Sequence, residues 1–412
     1  MQEGKTYRVK PTTFAYGGET LARLPDGRAV FIPYVLPGEE VQIRLTEDKE
    51  RYARGVAVEI LEPSPDRIKA KCQHFGVCGG CHYQHMPYPR QLAAKKDILK
   101  DQLARIGGLS DPPVQDTVPS PHPWHYRNHV QFHLTDEGAL GYKAFRSDRV
   151  VPIQECHLPE EVIDAIWPLL DVEYIPGLER VILRSGEKEE DILLVLESSE
   201  PEPIAFEVDL PLSAVYRGPD GQIILSGDDF TIVDVHEFPF AVSAGSFFQT
   251  NTAVTERMID HLFDILSLDE EAVFLDVYSG VGLFSAFFAP EVGRVVGIES
   301  SPSAVDDFMH NLSTFENVEL YEAPAEEVLP QLDLRPDIIL VDPPRAGVAP
   351  EALDGILNLA PEQLVYVSCD PATLGRDVRR LGKGGYTLLQ STPFDMFPQT
   401  YHIESVNLFR RA

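Results

Sequence analysis

Beyond Ser243 the sequence alternates strand-length apolar runs with helix-compatible segments, and this rhythm restricts the fold more than any other feature. Residues 252–266 read as a helix, AVFLDVY (272–278) as a strand, LFSAFFA (283–289) as a helix, VGRVVGIE (292–299) as a strand and PSAVDDFMHNL (302–312) as a helix. VELYEA (318–323), DIILVD (337–342) and LVYVSC (364–369) follow as strands. Such alternation implies a parallel sheet with helices on both faces. YTLLQSTPF (386–394) and HIESVNLFR (402–410) read as a terminal hairpin.

The carboxyl ends of these strands carry the chemistry-bearing residues. LDVYSGVGLFS (275–285) is strand, glycine turn and helix, in which Gly280 and Gly282 allow close backbone approach to a ligand. The next strand ends in Glu299, seventeen residues after Gly282, where a carboxylate suits a ribose diol. Position 285 is Ser rather than a third glycine, which favours a single-nucleoside cofactor such as S-adenosylmethionine (SAM) over a dinucleotide. Asp342 ends another strand, and Pro343-Pro344 then takes the chain rigidly out of the sheet. Cys369 ends a strand on the same edge. A buried structural cysteine is the plain alternative. A helix beginning at Pro371 would put its positive end beside the thiol and lower its pKa.

The length of 412 residues suits two to four domains. Five short strands between residues 5 and 62 suggest a small OB-type β-barrel, closed by the linker EPSPDR (62–67). LAAKKDILKDQLARI (92–106) has Leu92, Leu99, Leu103 and Ile106 at helical spacing, and strand-like runs between 112 and 235 suggest an α+β middle section. The expected organisation is a multidomain α/β protein divided at 1–63, 64–240 and 241–412. The net charge of −30 is unevenly spread: residues 1–150 hold 21 Lys+Arg against 18 Asp+Glu, and the rest hold 14 against 47. A polyanion would be held mainly by the first part. Acidity serving solubility or internal salt is the bland reading of the remainder. The polar start MQEGKTYRVK does not read as an export signal. The longest apolar stretch, 272–289, is broken by Asp276, so the expectation is a cytoplasmic enzyme and no membrane contact.

Cys72-x5-Cys78-x2-Cys81 with distant Cys156 offers four thiolates, suited to zinc or an iron–sulfur cluster. Zinc sites usually pair two short CxxC arms, and only one exists here. Three close cysteines with one remote are more cluster-like. His74, His82 and His85 nearby read as surface or RNA-contacting residues rather than ligands.

SFFQTN (246–251), DVYSGVGLFS (276–285), GIESSPSAVDD (297–307), VDPPRAG (341–347), VSCDPATLGRD (367–377) and DMFPQTYHIESV (395–406) together resemble the RNA uracil-5 methyltransferases. These enzymes make 5-methyluridine in tRNA or ribosomal RNA. YVLPGEEV and LEPSPDR are similar to the family's N-terminal TRAM (OB-type) domain, CQHFGVCGGCHYQHMPY to its cluster-binding segment and YRNHVQFH to its central domain. The resemblance covers nearly the whole chain. One departure is Ser279, where many relatives carry Cys.

The resemblance implies a C-terminal Rossmann-like SAM-dependent domain with Cys369 as nucleophile toward uracil C6 and Glu404 as the base removing the C5 proton. It implies cofactor contacts from Gln249, Tyr278, Glu299 and Asp342, and a [4Fe-4S] cluster on Cys72, Cys78, Cys81 and Cys156. His402 is read as structural, on the same strand face as Glu404. The combination of TRAM domain and cluster favours 23S ribosomal RNA, with tRNA as the alternative. Arg8, Arg23, Arg51, Arg54 and Arg67, with Tyr7, Phe14, Tyr16 and Tyr52, are the expected RNA-contacting set. A non-catalytic SAM- and RNA-binding protein and a redox-sensing regulator are the competing classes.

Overall fold

A computed structural model describes residues 4–170, 175–188, 191–201 and 210–411. In the N-terminal part, strand residues point alternately inward and outward: β5 below buries Val41, Ile43 and Leu45 and exposes Arg44. That period-two pattern suits a sheet with one face on a core. Six strands result: β1 (Thr6–Val9), β2 (Thr13–Ala15), β3 (Glu19–Arg23), β4 (Ala29–Pro33), β5 (Glu40–Asp48) and β6 (Tyr52–Glu62), in the order β1-β5-β6-β4-β3-β2. They enclose a core including Val30, Ile32, Val41 and Ile43. The short β2 is the strand that the sequence reading lacked.

A loop carrying Cys72, Cys78 and Cys81 leads to helix α1 (Tyr88–Arg105), which starts four residues before its apolar spacing indicates. Its buried face includes the polar Gln91, Lys95 and Gln102. Gln91 Nε2 donates to Gln399 Oε1 at 2.9 Å, and Lys95 Nζ donates to Asp395 Oδ1 at 2.5 Å with both side chains fully buried.

The central sheet contains β7 (His129–Leu134), β8 (Leu140–Lys143), β9 (Val150–Pro152), β10 (Leu178–Ser185), β11 (Ile192–Ser198), β12 (Ser213–Gly218) and β13 (Gly221–Ser226), with helix α2 (Glu161–Ile166) between β9 and β10. Its order is β13-β12-β11-β10-β7-β8-β9. The hairpin β14 (Phe230–Val235) and β15 (Phe238–Ser243) then buries Val233, Val235, Phe240 and Val242 in the core of the C-terminal sheet. The expected boundary at 240/241 therefore cuts through β15. Likewise α1, expected in the middle section, packs Leu99 and Leu103 into the other C-terminal core.

The C-terminal elements are α3 (Thr252–Ile265), β16 (Val273–Val277), α4 (Leu283–Phe288), β17 (Arg294–Glu299), α5 (Pro302–Asn311), β18 (Val318–Glu322), α6 (Ala325–Val328), β19 (Ile338–Val341), α7 (Pro350–Leu359), β20 (Gln363–Ser368), α8 (Pro371–Lys383), β21 (Tyr386–Phe394) and β22 (Glu404–Arg411). The sheet order is β18-β17-β16-β19-β20-β22-β21. The strands from β18 to β20 are parallel, and β22 runs antiparallel between β20 and β21, forming the expected terminal hairpin. Successive residues of one strand enter opposite cores: Phe274 and Ile338 one, Leu275 and Ile339 the other. Burial on both faces explains why these strands are continuous apolar runs.

Candidate active site

Strand β16 ends in a turn with Tyr278, Gly280 and Gly282 at φ of 65°, 54° and 91°. A Cβ on Gly282 would lie 2.3 Å from Leu312 Cδ1, so that glycine serves helix packing. A Cβ on Gly280 would meet nothing within 4 Å, which leaves the space above its backbone open. Glu299 holds this turn. Its Oε2 accepts from Gly280 N–H at 2.9 Å, and Oε1 accepts from Ser300 and Ser301 N–H, each at 2.7 Å. A carboxylate oxygen has two lone pairs, so Oε2 keeps one acceptor site for a hydroxyl.

Asp276 is not among the expected site residues, yet it is fully buried, and its Oδ2 accepts from Ser285 N–H and Oγ–H at 3.1 and 2.7 Å. Burial pushes its carboxyl up to about 7. Asp342, at the end of β19, is likewise pushed up to about 7, by burial and then by Asp276. Gln249 Nε2 donates to Asp342 Oδ2 at 3.4 Å, and Asn128 Nδ2 donates to the Gln249 carbonyl at 3.1 Å. Tyr278 is half-buried at the edge of one core, and burial raises its hydroxyl to about 12. Gln249, Asp342, Tyr278 and Glu299 thus lie on one edge of the sheet or immediately above it.

Cys369 follows β20, and Glu404 begins β22. Ser368 pairs with Ser405 across these antiparallel strands, so the register sets Cys369 opposite Glu404. Glu404 is buried, and its carboxyl is held well above the usual range by burial first and Asp342 second, against the pull of Arg345. The Cys369 thiol is pushed up to about 12 by burial, then by Glu404 and Asp342, with Arg345 opposing and Asp370 adding. The expected lowering by the helix end is therefore corrected. Asp370 caps α8, its Oδ1 accepting from Ala372 and Thr373 N–H at 2.9 and 3.0 Å, and brings a negative charge to the positive end.

Arg345 is the cation that the sequence reading missed; its signal was its place directly after Pro343-Pro344 in VDPPRAG. It donates through Nη2 to His402 Nδ1 at 3.3 Å. His402 lies in the turn before β22 and not on the strand itself, and burial lowers its pKa well below 6.5.

All four remaining cysteines line one cavity of about 510 Å³, which continues to Arg345 and His402. Gly80 N–H points at Cys78 Sγ (3.3 Å) and His74 N–H at Cys72 Sγ (3.4 Å). Burial raises every one of these thiols, Cys156 to about 12; neighbouring cysteines add to it at Cys78, Cys81 and Cys156, and Glu155 adds to it at Cys72. Among the described residues no group of three or more His, Cys, Asp or Glu side chains is close enough to hold a single metal ion. His82 and His85 are buried rather than at the surface, packed on Tyr34, Phe75, Phe145 and Tyr401.

The expected RNA-contacting arginines are largely engaged within the protein. Arg8 pairs with Glu40, Arg54 with Glu19 and Glu47, and Arg67 with the buried Glu39. Phe14 packs on Tyr83 and Tyr16 hydrogen-bonds to Asp370. Arg51 stays exposed.

The sequence profile described as TRAM domain matches residues 1–58, and the one described as tRNA (Uracil-5-)-methyltransferase matches residues 207–412. The chain belongs to the RNA uracil-5 methyltransferase family. It is a SAM-dependent RNA (uracil-C5)-methyltransferase with an N-terminal TRAM domain, a central β region and a C-terminal Rossmann-like sheet. An uncharacterised RNA methyltransferase of Thermotoga maritima is 34% identical, with 97% of each chain covered. One from Halalkalibacterium halodurans is 35% identical over 92% of each. The crystal structure of a Pyrococcus abyssi tRNA (uracil-54, C5)-methyltransferase with S-adenosyl-L-homocysteine superposes with a TM-score of 0.72 and 25% identity, covering 98% of this chain and 100% of that one. No helix of this methyltransferase, among the described residues, is long and apolar enough to cross a membrane.

Proposed function

We propose that this methyltransferase converts a uridine of structured RNA to 5-methyluridine through covalent attack by Cys369. The observation that carries this reading is the register that sets Cys369 against Glu404, with Asp342 near both. Uracil C5 is a poor nucleophile. Thiolate addition at C6 turns the ring into an enolate whose C5 takes the methyl group, which splits one hard step into easier ones. SAM supplies that methyl as an electrophile. Glu404, ionised at that stage, takes the C5 proton, and the electrons of the broken C–H bond re-form the double bond as the Cys369 sulfur leaves C6. Arg345 acts to favour both charged forms. Gln249 and Asp342 would face cofactor and base, Tyr278 would lie beside the cofactor, and Glu299 would use its remaining Oε2 lone pair on the ribose.

Cys72, Cys78, Cys81 and Cys156 fit a [4Fe-4S] cluster: four thiols share one cavity, with backbone N–H groups aimed at two of the sulfurs. Such a cluster would tie the 72–81 loop to the central sheet. Ribosomal RNA, 23S RNA in particular, is the substrate we favour from the combination of TRAM domain and cysteine set. Transfer RNA is the second reading, favoured by the full-length likeness to the Pyrococcus abyssi tRNA enzyme. Either substrate accords with a cytoplasmic location.

The test is transfer of labelled methyl from SAM to unmodified 23S RNA and tRNA transcripts by anaerobically purified protein, with nucleoside analysis. Label in 5-methyluridine from one RNA, reduced by at least about 10³-fold in Cys369→Ala, is the expected result. Retained activity in that variant would remove Cys369 from the mechanism.

A further inference from the structure

The turn between β2 and β3 of the TRAM domain ends inside the wall of the C-terminal site. Tyr16 Oη donates to Asp370 Oδ2 at 3.0 Å, across 354 residues of sequence. Asp370 is the N-cap of α8 and the immediate neighbour of Cys369. The approach is closely shaped. Gly17 and Gly18 take φ of 102° and 83°, and a Cβ on Gly18 would lie 2.9 Å from both His82 Cδ2 and Tyr401 Cδ1. The Tyr16 ring stands edge-on to Tyr401 at 5.9 Å, and Phe14 stands edge-on to Tyr83 at 5.7 Å. Glu19, at the start of β3, is buried and takes Arg146 of the central region at 2.9 Å. The turn is therefore clamped between the cysteine-bearing segment, the central region and the loop that leads to Glu404. A domain serving only to capture RNA has no need to seat a tyrosine hydroxyl on the cap beside the thiol.

We propose that Tyr16 is a positioning residue for the nucleophile, through which the TRAM domain completes the methyltransferase site: its hydroxyl holds the Asp370 carboxylate on the α8 cap and away from the Cys369 sulfur. This rests on the reading of Cys369 as nucleophile. Asp370 has one oxygen on two backbone N–H groups and the other on Tyr16. Without the tyrosine, Oδ2 becomes an unpaired acceptor next to a thiol, free to hold the thiol proton, and the uncompensated charge opposes thiolate formation. Burial and Asp370 both hold the Tyr16 hydroxyl in its protonated form, so it remains a donor at any working pH.

The experiment uses full-length Tyr16→Phe, which keeps the ring and removes the hydroxyl. Three quantities are measured: the rate of Cys369 alkylation by iodoacetamide at pH 8.5, followed on its peptide by mass spectrometry; the single-turnover rate of methyl transfer at saturating RNA and SAM; and the RNA dissociation constant. Alkylation and methyl transfer are each expected to fall by about tenfold, with RNA affinity unchanged and only a small fall in melting temperature from the lost hydrogen bond. Wild-type rates of both reactions would overturn the proposal, as would a loss carried wholly by RNA affinity, which would make Tyr16 an RNA contact. A transcript containing 5-fluorouridine separates the two readings. If the wild type forms no Cys369 adduct with it, the nucleophile assignment fails and takes this proposal with it. If the adduct forms equally fast in both proteins, only the role of Tyr16 fails.

Discussion

Cys369 sits one residue past a strand whose six residues are all buried, whereas Cys72, Cys78 and Cys81 sit in a loop held by turns and isolated bridges. The first thiol is aimed by strand register: β20 and β22 share ladder bonds up to Ser368 and Ser405, and Cys369 and Glu404 come next. The loop thiols depend on docking, as where Gly79 N–H bonds to Lys143 O at 3.0 Å and a Cβ there would meet that oxygen at 2.6 Å. A site aimed by a sheet is formed before its ligand arrives. A site aimed by a loop gains order from what it binds. The two regions share one wall, residues 395–402, whose Gln399 carbonyl accepts from His82 and Tyr83 N–H at 2.8 and 3.0 Å.

If this contrast is right, changes at the strand-end site remove chemistry and spare folding. Glu404→Gln is expected to lower methyl transfer by about 10²–10⁴-fold, the usual weight of a positioned base. It should also leave the RNA covalently attached to Cys369, visible as a slow-migrating band on a denaturing gel, with the melting temperature unchanged. A fall in melting temperature that matched the loss of rate would break the comparison. Lys95→Met strikes the shared wall. It leaves Asp395 buried without its cation, so the urea midpoint should fall by the equivalent of about 3–5 kcal/mol.

At the loop site, Cys81→Ser is expected to abolish the visible absorbance that the proposed cluster would give the anaerobically purified protein, and to lower its melting temperature by several degrees. Binding of SAM, measured calorimetrically, should persist, because the residues proposed to hold the cofactor lie on the sheet edge. Loss of SAM binding would show that the two regions are one cooperative unit. The mildest probe is pH. Cys369 and Glu404 both have pKa values raised by burial, and the mechanism proposed above uses both in their ionised forms. For each, the ionised fraction below its pKa grows about tenfold per unit, so the single-turnover rate should climb with pH between about 6 and 8. A flat profile would mean that bound substrates have already lowered both values.

The C-terminal alternation was legible because the inner strands β16, β17, β19 and β20 are buried on both faces, so their apolar runs alone report them. Gly280, Glu299, Asp342 and Cys369 could be ordered along one edge for the same reason: parallel strands bring their ends together. The hairpin of β14 and β15 was harder to assign, since its valines are equally apolar whichever core receives them. Lys95 and Gln91 on the buried face of α1 broke the apolar pattern, and their partners lie some 300 residues away. The arginines of the TRAM domain looked available for RNA because the sequence does not show that Glu19, Glu39 and Glu40 face them.

The sequence by itself determined the residue types, their order along the sheet edge and the four-cysteine set, all of which follow from local periodicity and spacing. Only the tertiary structure decided that Asp370 cancels the helix end beside Cys369, that Arg345 answers the carboxylates there and that Tyr16 reaches the site from the other end of the chain. Charge and hydrogen bonding act through space, and the distances that set them exist only once the chain has folded.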